Sequence, residues 1–165
     1  MKDPFRLARF LDAQQSVYDT VVAELRAGRK RSHWMWFIFP QIAGLGRSAT
    51  ARRYAISSRD EAIAYLAHPV LGRRLRECST LVAEIERRSI TEIFGYPDDL
   101  KFHSSMTLFA QAGPEEAIFA ACLQQYFGSD PLRPSGLRSG PELADRADPA
   151  LHQHEQRQAD EEHET

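Results

Sequence analysis

Cysteine is nearly absent from this chain, and no apolar run approaches the roughly 18 residues that a membrane-crossing helix needs. The two thiols, Cys78 and Cys122, lie far apart and supply neither a metal set nor a disulfide framework. Each falls on the apolar face of a helical pattern, where free cysteine packs as a small hydrophobe. The start, Met1-Lys2-Asp3-Pro4, puts an acid and a proline where a signal peptide would be apolar, which points to a cytoplasmic protein. No internal repeat is visible, which disfavours a solenoid. No strand signal is convincing. A large surplus of one charge is also missing: the net charge is −2, with 17 Lys+Arg and 14 Asp+Glu in residues 1–128 and 4 against 9 in residues 129–165. A body at +3 is too weakly basic to argue for nucleic acid, and no nucleic-acid motif accompanies it.

What is present is helical periodicity. Asp3 and Pro4 open a first helix that Gly28 closes. Leu7, Phe10, Leu11, Val17, Tyr18, Val21, Val22 and Leu25 recur along it at three- and four-residue steps. Gln14 interrupts that stripe, either as a boundary position or as a polar group facing a pocket. A helix resumes near Ser48 and runs through Tyr54 and Ile56. Ser58 with Glu61 has capping-box spacing for a short helix ending at His68-Pro69. Pro69 opens the next, with Val70, Leu71, Leu75, Cys78, Leu81, Val82 and Ile85 on its inner face, and His68 reads as its N-cap. Ser89 with Glu92 repeats the capping box before Gly95. Pro97-Asp98-Asp99 leads into Leu100–Ala112, and Gly113-Pro114 opens a last helix closed by Gly128. The expectation is an all-α fold, an irregular bundle or array of six to seven helices with no convincing sheet.

The domain is expected to span residues 1–128. From Ser129 aromatic residues vanish, and Pro, Gly, Arg, Asp, Glu, Gln and His dominate. Such a composition cannot bury enough apolar surface to offset ordering entropy, so 129–165 reads as a disordered acidic tail.

Several segments together resemble a known bacterial family. They are Asp3-Pro4-Phe5 through Arg9-Phe10 with Ala13-Gln14, Lys30–Ser48, Tyr54-Ala55-Ile56, Ala64-Tyr65-Leu66 and His68-Pro69-Val70-Leu71-Gly72. Ile93-Phe94-Gly95, Asp98-Asp99-Leu100-Lys101 and Ser104-Ser105-Met106-Thr107-Leu108-Phe109 complete the set. The chain is similar over roughly residues 3–128 to the uncharacterised DUF1810 family, some of whose members carry a calpastatin label. The resemblance implies a mostly helical fold and no established activity. A calpastatin-type inhibitor is a disordered chain, whereas this pattern is that of a packed core. After Gly128, where members continue with a short Asp- and Thr-containing segment, Asp130-Pro131-Leu132 leads here into the polar tail.

Three elements carry more chemistry than folding requires. The densest, Ser32-His33-Trp34-Met35-Trp36-Phe37-Ile38-Phe39-Pro40-Gln41, shows neither period two nor period 3.6 and so should be buried on several sides. His33, Trp34, Trp36 and Gln41 bring polar groups that, once buried, are either internally bonded or face a ligand, and an indole can stack a flat ring. In Gly44-Leu45-Gly46-Arg47-Ser48, two glycines permit close backbone approach, and Arg47 offers a fork for phosphate or carboxylate. Ser48 there opens a helix whose N-terminus favours an anion, or simply caps it. In the third element Lys101 and Ser105 share a helix face that can present a cation and a hydroxyl to one oxyanion, while Asp98 or Asp99 caps the helix. Arg29-Lys30-Arg31 either meets a phosphodiester or complements the end of the first helix.

No nucleophile elbow, ligand set for a metal, cofactor motif or complete triad is present. His33 and Asp99 are the candidate bases, with paired Asp98-Asp99 as a general base or weak Mg²⁺ ligand and His68 as further alternatives, so catalysis stays open. The sequence supports a small-molecule site for an anionic ring-bearing ligand of nucleotide, NAD or ADP-ribose type. The alternative is a non-catalytic protein-interaction or regulatory module using the aromatic segment 33–41. A pocket behind Trp34, Trp36 and Phe39 favours the first; a flat exposed patch favours the second.

Overall fold

The computed structural model describes residues 2–128, so the expected tail lies outside the described residues. The helices are α1 (Ala8–Gln15), α2 (Tyr18–Arg26), α3 (Met35–Ile38), α4 (Ala49–Arg53), α5 (Arg59–Ala67), α6 (Leu71–Ala83), α7 (Ile90–Phe94), α8 (Asp98–Ala112) and α9 (Ala117–Tyr126). Nine helices among the described residues exceed the six or seven expected, for two local reasons. The first helix breaks at Ser16-Val17, where the Gln14 carbonyl accepts from Val17 N at 3.1 Å and the chain turns. The break lets α1 pack on α3 while α2 packs on α6. The second addition is α3, one turn inside the aromatic segment. The only bridge of β type among the described residues joins Ile42 to Ile56 in parallel, tying the glycine loop to the segment after α4.

Asp3 serves the helix as expected but from further away. Its carboxylate oxygens accept from Leu7 N at 2.7 Å and Ala8 N at 3.0 Å, so α1 starts at Ala8 rather than at Pro4. Ser58 caps α5 through Glu61 N at 3.1 Å, and Ser89 with Glu92 forms the full reciprocal capping box of α7. His68 accepts on Nδ1 from Val70 N and Leu71 N at 3.1 and 3.2 Å, which satisfies two otherwise unpaired donors at the start of α6. That helix follows α5 so closely that a Cβ at Gly72 would sit 2.1 Å from the Leu66 carbonyl oxygen. Only glycine fits there.

The core is organised around α8, which packs against α3, α5, α7 and α9. Phe102, fully buried, meets Phe39 edge-on at 5.0 Å and stacks on Phe94 at 5.0 Å; Trp34 touches both Phe39 and Phe94 at 6.3 Å. A second aromatic group joins Phe10, Tyr65, Phe109 and Phe119. Gln14 is buried beside the second set. It donates to the Phe37 carbonyl at 2.8 Å and to the Tyr65 hydroxyl at 3.1 Å, and its oxygen accepts from Arg74 at 3.2 Å. It is therefore neither a boundary residue nor a pocket lining, but a bonded strut between α1, α3, α5 and α6. Cys78 and Cys122 are buried as expected, and burial pushes both thiols up to about 12, which removes them from thiolate chemistry. No helix among the described residues is long and apolar enough to cross a membrane.

Candidate functional site

The aromatic segment is fixed from below by one carboxylate. Glu24, on α2, accepts from Arg31 N at 2.8 Å, Ser32 N at 3.1 Å, the Ser32 hydroxyl and the Trp34 indole N–H at 2.9 Å. Burial alone would raise this carboxyl, but the donors from Ser32, Arg31 and Trp34 outweigh it and hold it below the usual carboxylate range. Trp34 is thus an internally satisfied anchor. Trp34, Trp36 and Phe39 are all buried, so they form no flat exposed patch.

Trp36 behaves differently. It is 3% exposed, yet its indole N–H has no hydrogen-bond partner. The Lys101 ammonium lies 4.0 Å from the centre of its ring, a cation–π contact from α8. One turn further along α8, the Ser105 hydroxyl is likewise buried without a partner. Unbonded buried donors cost about 1–3 kcal/mol each, so two at neighbouring elements are unusual.

Beneath them lies an ionic cluster. Asp98 receives Lys30 at 2.8 Å on one oxygen and Lys101 at 2.9 Å on the other, all three side chains being almost fully buried. Burial would raise Asp98, but the Lys101 and Lys30 ammoniums overcome it and hold the carboxyl below its ordinary value. Asp99, the neighbouring acid, accepts from the Thr91 hydroxyl at 2.6 Å and from Leu100 N at 2.8 Å. Neither aspartate makes the side-chain cap expected of it, because Asp98 is taken by the two lysines and Asp99 bonds within the first turn. Lys30 is likewise no surface cation at the end of a helix: it points inward to Asp98 and lies 5.4 Å from the Trp34 ring.

Above Trp36 opens a hollow of about 250 Å³, walled by Trp36, Gln41, Gly44, Gly46, Arg52 and Tyr54. Its back wall is braced by Arg9, which donates to the Arg53 and Ala55 carbonyls at 2.6 and 2.9 Å and to Glu61 at 2.9 Å. Gly44 holds a left-handed φ of +99°, which favours glycine at the rim. Arg52 is kept at the mouth by its bond to the Arg47 carbonyl.

The structure therefore brings together Trp36, Gln41 and, behind the ring, Lys101 with Ser105 along the same helix. His33 and Arg47 are exposed, and neither is among the residues that wall this hollow. Ser48 is a buried N-cap, its hydroxyl accepting from Ala51 N at 3.0 Å. The helix it opens has only five residues, too short for a useful dipole. Asp99 does not wall it either. Sequence reasoning missed Arg52, Tyr54 and the Lys30–Asp98–Lys101 cluster. A signal for the first was available: between Glu24 and Asp60 the chain carries Arg26, Arg29, Lys30, Arg31, Arg47, Arg52, Arg53 and Arg59 but no acid. Among the described residues no group of three metal-ligating side chains gathers.

No curated protein matches the chain. A solved structure does: the crystal structure of Rv1873, a conserved hypothetical protein from Mycobacterium tuberculosis. It is 61% identical, with a TM-score of 0.76, and the match covers 76% of this chain and 90% of that one. The family model for a protein of unknown function, DUF1810, matches residues 4–134. With four-fifths of its length matched by that model, this chain belongs to the DUF1810 family.

Proposed function

We propose that the hollow above Trp36 binds a small anionic ligand bearing a flat ring, of the nucleotide, NAD or ADP-ribose class. The observation that carries this reading is the Trp36 indole: a buried N–H without an acceptor, on a ring that walls a cavity. A ligand oxygen or ring nitrogen reaching that donor would recover the hydrogen bond the fold leaves unmade. Lys101, buried against the same ring, joins Lys30 on the single Asp98 carboxylate, so the cluster beside the ring carries more positive than negative charge and favours an anion. At about 250 Å³ the hollow takes one ring with its sugar rather than a whole dinucleotide. Charged groups of the ligand would lie outward, at Arg52.

Binding is the function argued for, not catalysis. His33 and Asp99, the two groups read from sequence as bases, stand away from the hollow, and no nucleophile with a base lines it. The partner-surface alternative has no comparable observation behind it, because its aromatic residues are in the core.

A panel of mononucleotides and dinucleotides at millimolar concentration is expected to raise the melting temperature, since a ligand bound only to the native state stabilises by mass action. Trp36→Phe keeps an aromatic ring but removes the N–H with the fused five-membered ring, and Arg52→Gln removes the outer cation; each is expected to reduce the rise, measured from that variant's own unliganded melting temperature. If no anionic ring-bearing compound shifts the transition, the reading fails.

A further inference from the structure

A second hollow, of about 360 Å³, lies between the glycine loop, the first turn of α5 and the outer face of α8. It meets the Trp36 hollow only at Ile42 and has a different chemistry. Its apolar surface comes from Ile42, Leu45 and Leu108, and Leu45 is 41% exposed, held open at the rim rather than folded into the core. A lone exposed leucine is ordinary. Here it stands opposite a single cation, Arg59, and no Asp or Glu lines the cavity. Arg59 is exposed, and the only bond it makes to the protein among the described residues is to the Gln111 carbonyl at 3.3 Å, which is long, so most of its planar fork of donors faces solvent and is open to a ligand. On the same rim His103 stacks against Phe127 at 4.2 Å with the rings 16° apart, which fixes the imidazole edge beside the cavity.

An apolar wall with one guanidinium and no competing acid selects a ligand with one negative charge and a compact greasy body. A phosphate would carry more charge than a single arginine neutralises, and its strongly hydrated oxygens gain nothing from leucine and isoleucine. A carboxylate matches the arginine fork with two parallel hydrogen bonds. We propose that this hollow is a binding site for a small organic monocarboxylate with an aryl or branched alkyl body, the carboxylate on Arg59 and the body against Ile42, Leu45 and Leu108. The site is independent of the ring-binding hollow and stands or falls separately.

Phenylacetate titrated into the full chain, followed by amide chemical shifts, tests it against phenylacetamide, which has the same shape without the charge. The expected result is saturable binding of the acid, with the amide and the Arg59→Gln variant each weaker by about tenfold or more. Leu45→Ser, which shortens the apolar wall without touching the cation, is expected to weaken the acid by about threefold or more. Trp36→Phe is expected to leave phenylacetate binding unchanged. Equal affinity for acid and amide, full affinity in Arg59→Gln, or no saturable shift from phenylacetate would each overturn the proposal, whatever the nucleotide panel shows.

Discussion

Asp98→Asn is expected to destabilise the protein by about 3–5 kcal/mol, read as a fall in the urea midpoint. Asparagine has the same shape as aspartate, so packing is preserved and the loss is electrostatic. In the native protein one carboxylate neutralises two almost fully buried ammoniums, Lys30 and Lys101. Removing it leaves both without their counter-ion in a low-dielectric interior, where each pays several kcal/mol of desolvation. The triple variant Asp98→Asn/Lys30→Met/Lys101→Met removes the charges together and is expected to regain most of the loss. If the single variant matched the wild type, the cluster would be far more hydrated than its burial indicates.

The same carboxyl sets an acid dependence. Its folded-state value lies below its ordinary 3.8, because Lys101 and Lys30 outweigh burial. A depressed carboxyl contributes stability that is complete above its unfolded value and lost as pH falls through the folded one. The wild type should therefore weaken on acidification below about pH 4, and Asp98→Asn should show a shallower fall in that window.

Phe102→Ala is expected to cost a further about 3–5 kcal/mol, independently of the charges. Phe102 is fully buried on α8 and contacts Phe39 from the aromatic segment and Phe94 from α7, so its removal opens a cavity where three elements meet. Phe102→Leu retains most of the volume and should lose no more than about 1.5 kcal/mol by chemical denaturation. Equal losses for the two would mean that ring geometry, not volume, sets the packing.

Much of this architecture was legible in the sequence because its signals are local. Ser58, Ser89 and His68 act as caps because capping depends on a few consecutive residues, and the apolar positions of α6 face inward as their spacing requires. The break at Ser16-Val17 was not legible. The stripe from Leu7 to Leu25 keeps helical spacing across it, and what bends the chain is the need for α1 to meet α3 while α2 meets α6. Gln14 was visible as an oddity, but its three partners come from α3, α5 and α6, and no spacing reveals such long-range bonds.

The site divides the same way. An aperiodic aromatic segment implied burial on several sides, which holds, and Trp36, Gln41 and Lys101 do lie together. Nothing local distinguishes Trp34, which Glu24 satisfies, from Trp36, which nothing does; the difference arises from one carboxylate on α2 ten residues upstream. His33 and Arg47 are candidates by residue type, and both side chains are exposed. Arg52 carries no local mark beyond its place in the last turn of a short helix, although the acid-free stretch from residue 25 to residue 59 is a cationic signal for the whole region.

The most direct test uses the indole N–H resonances, of which the chain has only two. Trp34 and Trp36 are assigned by comparison with Trp36→Phe, and the protein is titrated with adenosine monophosphate. The account predicts that the Trp36 signal moves downfield as its proton gains an acceptor, while the Trp34 signal, already bonded to Glu24, stays in place. A Trp36 resonance unmoved by any nucleotide at millimolar concentration, or one that resonates from the outset at the position of a bonded indole, would contradict it.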